Sequence, residues 1–381
     1  MTRKIVRDLV AQRVLLVEDG NHGEYRPRPG EFVDVGVPFI RAADMSSGTI
    51  DFDGAGKINA IARDRIRKGI GKPGDVILSH KGTVGRVAIA PMDSPDFVCS
   101  PQTTFWRSLD PTVLDQRYLR YAMRSPSFMR QLEVLKGQTD MAPYVSLTDQ
   151  RSIELELPPI VTQQVVAEVL GALDDKIAVN ERLCSLADQL CAAQVQKASV
   201  MGVRRQLRDV LTLHYGKALP ASERTPGDVV VYGSGGITGM HSRPLVNRPG
   251  VIVGRKGTVG AIYWASGPHF PIDTTYYVEP REVATDEILY YLLRSAPLAE
   301  LNSDSAVPGL NRDEAYACQV NLPEKDSLET LSRNLRQRFS WMKLVHEEMK
   351  ALAVTRDELL PLMMSGNVRV REAEKIVEGV V

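Results

Sequence analysis

The sequence predicts an α+β fold. Two copies of one β-rich domain are separated by two long helices that pair as an antiparallel coiled coil, in the pseudo-twofold order domain, helix, domain, helix. Three observations carry this reading. The pentapeptide KGTVG occurs at 81–85 and again at 256–260. Several further features follow each copy in the same order. Each half then ends in a long stretch almost free of Gly and Pro.

The repeat is legible piece by piece. After the first pentapeptide come "FVCSPQTTFW" at 97–106 and "RYLRYAMRS" at 117–125; after the second come "FPIDTTYYV" at 270–278 and "EILYYLLRS" at 287–295. "YVSLTDQRSIELELPP" at 144–159 is then matched by "VPGLNRDEAYACQVNLPE" at 307–324. The offset drifts from 175 to 165 residues. Chance could supply one short match but not an ordered series, so the chain is read as an internal duplication. The alignment sets His80 against Arg255 and Gln102 against Asp273.

The first part of each half reads as β structure. Val76, Ile77 and Leu78 precede a glycine-bearing turn, and Val87, Ala88 and Ile89 follow it; Val251, Ile252 and Val253 precede the second turn, and Ala261, Ile262 and Tyr263 follow it. Short β-branched runs around such a turn signal a hairpin. Short helices are expected at 115–135 and 285–300.

The second part of each half reads as a long helix. From 160 to about 200 there is one glycine, Gly171, and no proline; from 326 to about 360 there is neither. In the first stretch Ile177, Leu183, Leu186, Leu190 and Ala193 recur at helical spacing. In the second, Leu328, Leu331, Leu335, Phe339, Met342, Val345, Met349 and Leu352 step by three or four. A helix of about 40 residues is roughly 60 Å long at 1.5 Å per residue. Helices that long outrun a globular core, so their apolar stripes are expected to meet each other. Asp174 and Asp175 are expected to face water. The domain boundaries that follow are 1–157, a helical spacer at 158–203, 204–322, and a second helix with a tail at 323–381.

Composition narrows the chemistry. With 47 basic and 47 acidic residues the net charge is zero, so any anion binding must come from local placement. Cys99, Cys184, Cys191 and Cys318 form no CxxC pair, and the six histidines are scattered, which argues against a zinc site or a disulfide framework. The opening "MTRKIVRDLV" is too charged for a signal sequence, and no apolar run is long enough to span a membrane, so a cytoplasmic location is expected. KGTVG lacks Walker spacing, and "GSGGITG" at 233–239 has the wrong spacing for a dinucleotide loop and is followed by Pro244 and Pro249. GxSxG, HExxH and a methyltransferase NPPY motif are all missing, so no catalytic residue is assigned. The residues that do suggest a ligand are basic or hydroxylic and lie near the turns. They are Arg63, Arg65 and Lys68 in a small cluster with Arg67; Lys81, Thr83 and Arg86 around the first turn; and Arg243, Arg255, Lys256 and Thr258 around the second. On loops beside a β platform such residues suit DNA phosphates, and arginine can also read guanine edges.

The stretch "LELPPIVTQQVVAEVLGALDDKIAVNERL" at 155–183 resembles the central conserved region of the specificity subunits of type I restriction–modification systems: a strand ending in LPP, then a long helix carrying LD-x-K-I-x-x-N. "VNLPEKDSLETL" is a weaker copy. "YGSGGITGMHSRPLVNRPGVIVGRKGTVGAIYW" with "FPIDTTYYV" is similar to a target-recognition domain of that family, and "DELLPLMMSGNVRV" at 357–370 to its C-terminal end. The resemblance implies a subunit without catalysis of its own. Two target-recognition domains would each read half of a split site on double-stranded DNA. The helices would separate them and dock two DNA adenine methyltransferase subunits. It further implies that this chain binds no cofactor itself: S-adenosylmethionine would sit on those partners, with ATP and Mg²⁺ on the restriction and translocation subunits. The other readings are a two-domain protein scaffold and a fragment of a DNA methyltransferase.

Overall fold

The computed structural model describes residues 2–46, 48–137, 142–281, 284–301 and 309–366. The last residues of the predicted tail, 367–381, and the start of the 307–324 match lie outside the described residues. The chain divides into two compact units, Met1–Ile177 with Ala351–Val381, and Ala178–Lys350.

The first unit is organised by a four-stranded antiparallel sheet in the order Leu15–Asp19, Thr103–Ser108, Val76–Ser79, Val87–Ile89. Alternation along Val76–Ser79 sends Val76 and Leu78 to one face and Ile77 to the other. Val76 and Leu78 join a core with Trp106, Tyr118 and Tyr121, while Ile77 joins Ile40, Phe97 and Phe105. Both faces are covered, and for that reason the strand reads as an unbroken apolar run. Helices Gln116–Arg124 and Pro126–Lys136 cover the first face. A second sheet brings Val37–Ile40 and Phe97–Cys99 together as a parallel pair. The N-terminal strand Thr2–Ile5 pairs with Glu154–Leu157.

The second unit repeats this plan. Its four-stranded sheet runs Leu211–Tyr215, Thr275–Pro280, Gly250–Gly254, Ile262–Ala265. Val229–Gly233 and His269–Pro271 form the equivalent parallel pair, and Val203–Gln206 pairs with Gln319–Leu322. The hydrogen bonds at the KGTVG turns match as well. Gly85 N–H donates to Ser79 O and Gly260 N–H to Gly254 O, each at 2.9 Å. Both glycines of each copy have positive φ (75° and 99°, then 81° and 73°), which a side-chain-bearing residue rarely adopts.

The register corrects the sequence alignment by one position. Ser79 pairs with Thr103, and Gly254 with Thr275. His80 N–H donates to Gln102 O, as Arg255 N–H does to Thr274 O. The counterpart of Gln102 is therefore Thr274, not Asp273; that of His80 is Arg255, as expected.

The two long helices are Ile160–Val200 and Lys325–Ser365, the latter running on past the expected stop through Pro361. In the first unit, Val166, Leu170 and Leu173 share a core with Leu352, Leu359, Leu360 and Met363. In the second, Asn180 Nδ2 donates to Glu348 Oε2 at 2.9 Å, and Arg338 hydrogen-bonds to Gln194. Partner numbers fall as residue numbers rise, so these stretches are antiparallel.

The stripe predicted on the second helix is the one that packs: Leu328, Leu331, Leu335, Phe339, Val345 and Leu352 are buried. The stripe predicted on the first helix packs only at its start, where Ile177 is half-buried against the first unit's core. Leu183, Leu186 and Leu190 are 43, 50 and 48% exposed, and Ala193 is exposed too. The buried side of this helix instead carries Asn180, Cys184, Cys191 and Val195. Asp174 also departs from expectation. Its side chain is only 9% exposed, because Arg356, Arg120 and Tyr121 surround it at 2.6, 3.0 and 2.7 Å. Asp175 does face water.

Candidate nucleic-acid interface

The turns deliver basic side chains from rigid strand ends, and the structure separates those free to bind from those already engaged. At the first turn Lys81 and Thr83 are exposed, with Lys81 Nζ 5.8 Å from the centre of the Tyr144 ring. Arg86 is anchored: its guanidinium donates to the carbonyls of Ala42 and Met45 at 2.8 and 2.9 Å. His80, buried beside Lys81, is held neutral because burial lowers its pKa.

The cluster at 63–68 divides in the same way. Arg65 ends the helix Ala60–Arg65, and its guanidinium grips Glu31 through contacts of 2.6 and 2.9 Å. Arg63 is half-buried on the same helix. Lys68 is exposed, and with Arg67, Asn21 and Tyr25 it lines a cavity of about 530 Å³. The Arg65 hydrogen bonds hold the Glu31 carboxyl well below its usual range, at about 2. A carboxylate depressed in the folded state stabilises above its unfolded pKa of about 4.3 and loses that contribution as pH falls through its folded value. An NMR titration of the Glu31 carboxyl carbon is therefore expected to show a midpoint near pH 2 in the native chain and a clearly higher one after Arg65→Gln, still below the free value because the Arg28 N–H continues to donate to this carboxylate.

In the second unit Lys256 and Thr258 are exposed on the turn, and Arg243 is exposed on the loop after the strand Gly236–His241. Arg255 is half-buried, donates to Asp273 O at 2.8 Å, and lies over the rings of Tyr215 and Tyr276 at 4.9 and 5.8 Å. Arg312 lies over the same Tyr215 ring at 5.1 Å. Sequence reading passed over Tyr215 and Arg312. The only available signal was their position beside repeat features, a strand end and the residue after the Asn311 helix cap.

The motif LD-x-K-I-x-x-N has a structural account. Leu173 is core, Asp174 holds two arginines, and Asn180 meets Glu348. Gln163 is buried just upstream. Its amide accepts from Asp115 N–H and donates to Val113 O and Pro158 O, which fixes the start of the helix. Among the described residues no three His, Cys, Asp or Glu side chains gather as a metal site, and no helix is long and apolar enough to cross a membrane.

A family model described as a type I restriction modification DNA specificity domain matches residues 22–185. A protein of Methanocaldococcus jannaschii, provisionally designated a type I restriction enzyme MjaX specificity subunit, is 17% identical over 376 residues, covering 88% of each chain. The crystal structure of the S subunit of a type I restriction–modification system from M. genitalium shares the fold: the TM-score is 0.57 at 17% identity, over 95% of each chain. Residues 22–185 thus match a type I restriction modification DNA specificity domain, and the chain is similar over most of its length to specificity subunits of type I restriction–modification systems.

Proposed function

We propose that the chain recognises a bipartite site on duplex DNA within a type I restriction–modification complex. Residues 1–157 and 204–322 act as two target-recognition domains, each reading one half-site. The helices at 158–203 and 323–381 form a coiled-coil spacer that relates the domains by a pseudo-twofold and leaves a fixed run of unread bases between them. The chain performs no catalysis and binds no cofactor. S-adenosylmethionine belongs to two docked methyltransferase subunits, and ATP with Mg²⁺ to the restriction and translocation subunits.

The observation that carries this reading is the repeated four-stranded sheet, closed by the same KGTVG turn but bearing different side chains beside it, as at His80 and Arg255. A shared frame with divergent side chains beside its turns suits two readers of different sequence. Docking of the methyltransferase is assigned to the outward stripe Val179, Leu183, Leu186 and Leu190, an apolar face that its own helix partner leaves uncovered.

The test is methyl transfer from labelled S-adenosylmethionine. The purified chain alone should give none, and addition of its adenine methyltransferase partner should give transfer to duplex DNA. Leu186→Lys with Leu190→Lys should leave the melting behaviour nearly unchanged, because both sites are exposed. The same pair should weaken capture of the methyltransferase by at least about tenfold, as expected when apolar anchors are lost. Transfer by the chain alone would overturn the non-catalytic reading, and unaltered capture would overturn the docking face.

A further inference from the structure

Tyr215 closes the strand Leu211–Tyr215 with its ring 47% exposed, and the guanidiniums of Arg255 and Arg312 both lie over that ring. Many part-buried arginines of the chain pair with a carboxylate, as Arg65 does with Glu31, Arg107 with Asp75, Arg294 with Asp188 and Arg356 with Asp174, and Arg86 is held by two carbonyls instead. Among the described residues neither Arg255 nor Arg312 has such a carboxylate. Two like charges around one aromatic ring repel each other, and the ring faces offset only part of that cost.

Both cations are also held in place. Arg255 donates from its side chain to Asp273 O, and its own carbonyl accepts from Leu310 N–H at 2.8 Å. Tyr276 O–H donates to Leu310 O at 3.0 Å, next to Asn311 and Arg312. Arg312 Nε is buried without a partner, so its stem is packed. Lys256, exposed on the adjoining turn, adds a third positive charge to the same end of the sheet.

We infer that Arg255, Tyr215 and Arg312 form a clamp for one backbone phosphate of duplex DNA. This deepens the DNA-specificity reading above and rests on it. Preorganised guanidiniums without an acidic partner among the described residues suit an anion, and their forked donors match phosphate oxygens. A guanine edge takes a single arginine and does not account for the pair.

The clamp belongs to one unit only. By strand register Tyr215 corresponds to Asp19, since Tyr215 faces Tyr276 where Asp19 faces Thr104. Arg255 corresponds to His80 by its backbone hydrogen bond, and Arg312 follows the cap Asn311 as Leu147 follows the cap Ser146. The first unit therefore places an acid, a neutral imidazole and a leucine where the second places the clamp.

The test measures binding of the full chain to a fluorescent duplex of random sequence across a range of salt. Each phosphate neutralised contributes about 0.9 to the slope of log K against log salt. Arg255→Gln with Arg312→Gln should reduce that slope by about 0.9, so affinity should fall about eightfold at 0.1 M salt relative to 1 M. Arg312→Lys should retain most of the slope by keeping the charge, and it controls for loss of folding. Leu147→Gln, at the matching position of the first unit, should leave the slope unchanged. If the wild-type chain binds DNA with a negative slope and the double variant keeps that slope, the clamp is overturned while the DNA-binding reading stands. A loss confined to duplexes carrying one particular base would overturn the phosphate assignment in favour of a base contact. A wild-type chain that does not bind duplex DNA overturns the DNA-specificity reading, and the clamp with it.

Discussion

Asp174→Ala is expected to destabilise the first unit by about 3–5 kcal/mol, the cost of removing one partner from a buried ion pair. Asp174 accepts hydrogen bonds from Arg356 and Tyr121 and forms an ion pair with Arg120; these partners reach it from the second long helix and from the helix Gln116–Arg124. Without it, the Arg120 guanidinium and the Tyr121 hydroxyl lose their buried carboxylate partner, and Arg356 would retain only Asp357 at the surface. Arg120 Nε already lacks a partner, so the site has little slack to redistribute. Asp175→Ala is the matched control. That side chain is exposed, so its loss should stay within about 0.5 kcal/mol. Urea unfolding of the two variants, followed with proteolysis to identify the unit that opens first, checks the difference. A small loss at Asp174 would show that the arginines find other partners.

The second large effect concerns the gap between half-sites. Inserting four residues in each long helix, after Ile177 in the first and after Lys350 in the second, is expected to abolish methylation of the original site and to create activity on a longer one. Both insertions fall where the two units divide, so each unit keeps its own packed half of the helix pair. Four residues act as a stutter that a coiled coil absorbs by unwinding locally. They add roughly 6 Å at 1.5 Å per residue, with a rotation of about 40° beyond a full turn. DNA rises about 3.4 Å per base pair and turns roughly 35° over the same step. The unread gap should therefore grow by one or two base pairs while both half-sites keep their bases. Mapping of methylated adenines in cells carrying the variant and its methyltransferase would read the outcome. An active variant with an unchanged gap would mean that these helices do not set the spacing.

Much of the fold was legible because the duplication supplies its own check: a feature found once can be sought a second time. The errors share one physical cause. Hydropathy ranks Leu183, Leu186 and Leu190 above Asn180, Cys184 and Cys191, yet the second helix meets the latter set. A helix with two apolar stripes does not reveal which one its partner covers. Asp174 looked solvated because its main partner, Arg356, lies 182 residues away. The candidate site was half legible for the same reason. Lys81, Thr83, Lys256 and Thr258, picked out by position near the turns, are exposed, but position could not reveal that Arg65 is engaged by Glu31 or that Arg86 holds two carbonyls. Nor could it bring Arg312 to Tyr215, since that meeting depends on the folded sheet edge.

The central claim is that two units of one frame read two halves of one site, and mapping the DNA methylation specified by the native chain tests it most directly. Co-expressed with its adenine methyltransferase in a host lacking other adenine methylation, the chain should direct methylation to a single motif with two unlike half-sites. A fixed run of unspecified bases should lie between them. A contiguous motif, or a gap of variable length, would contradict the account.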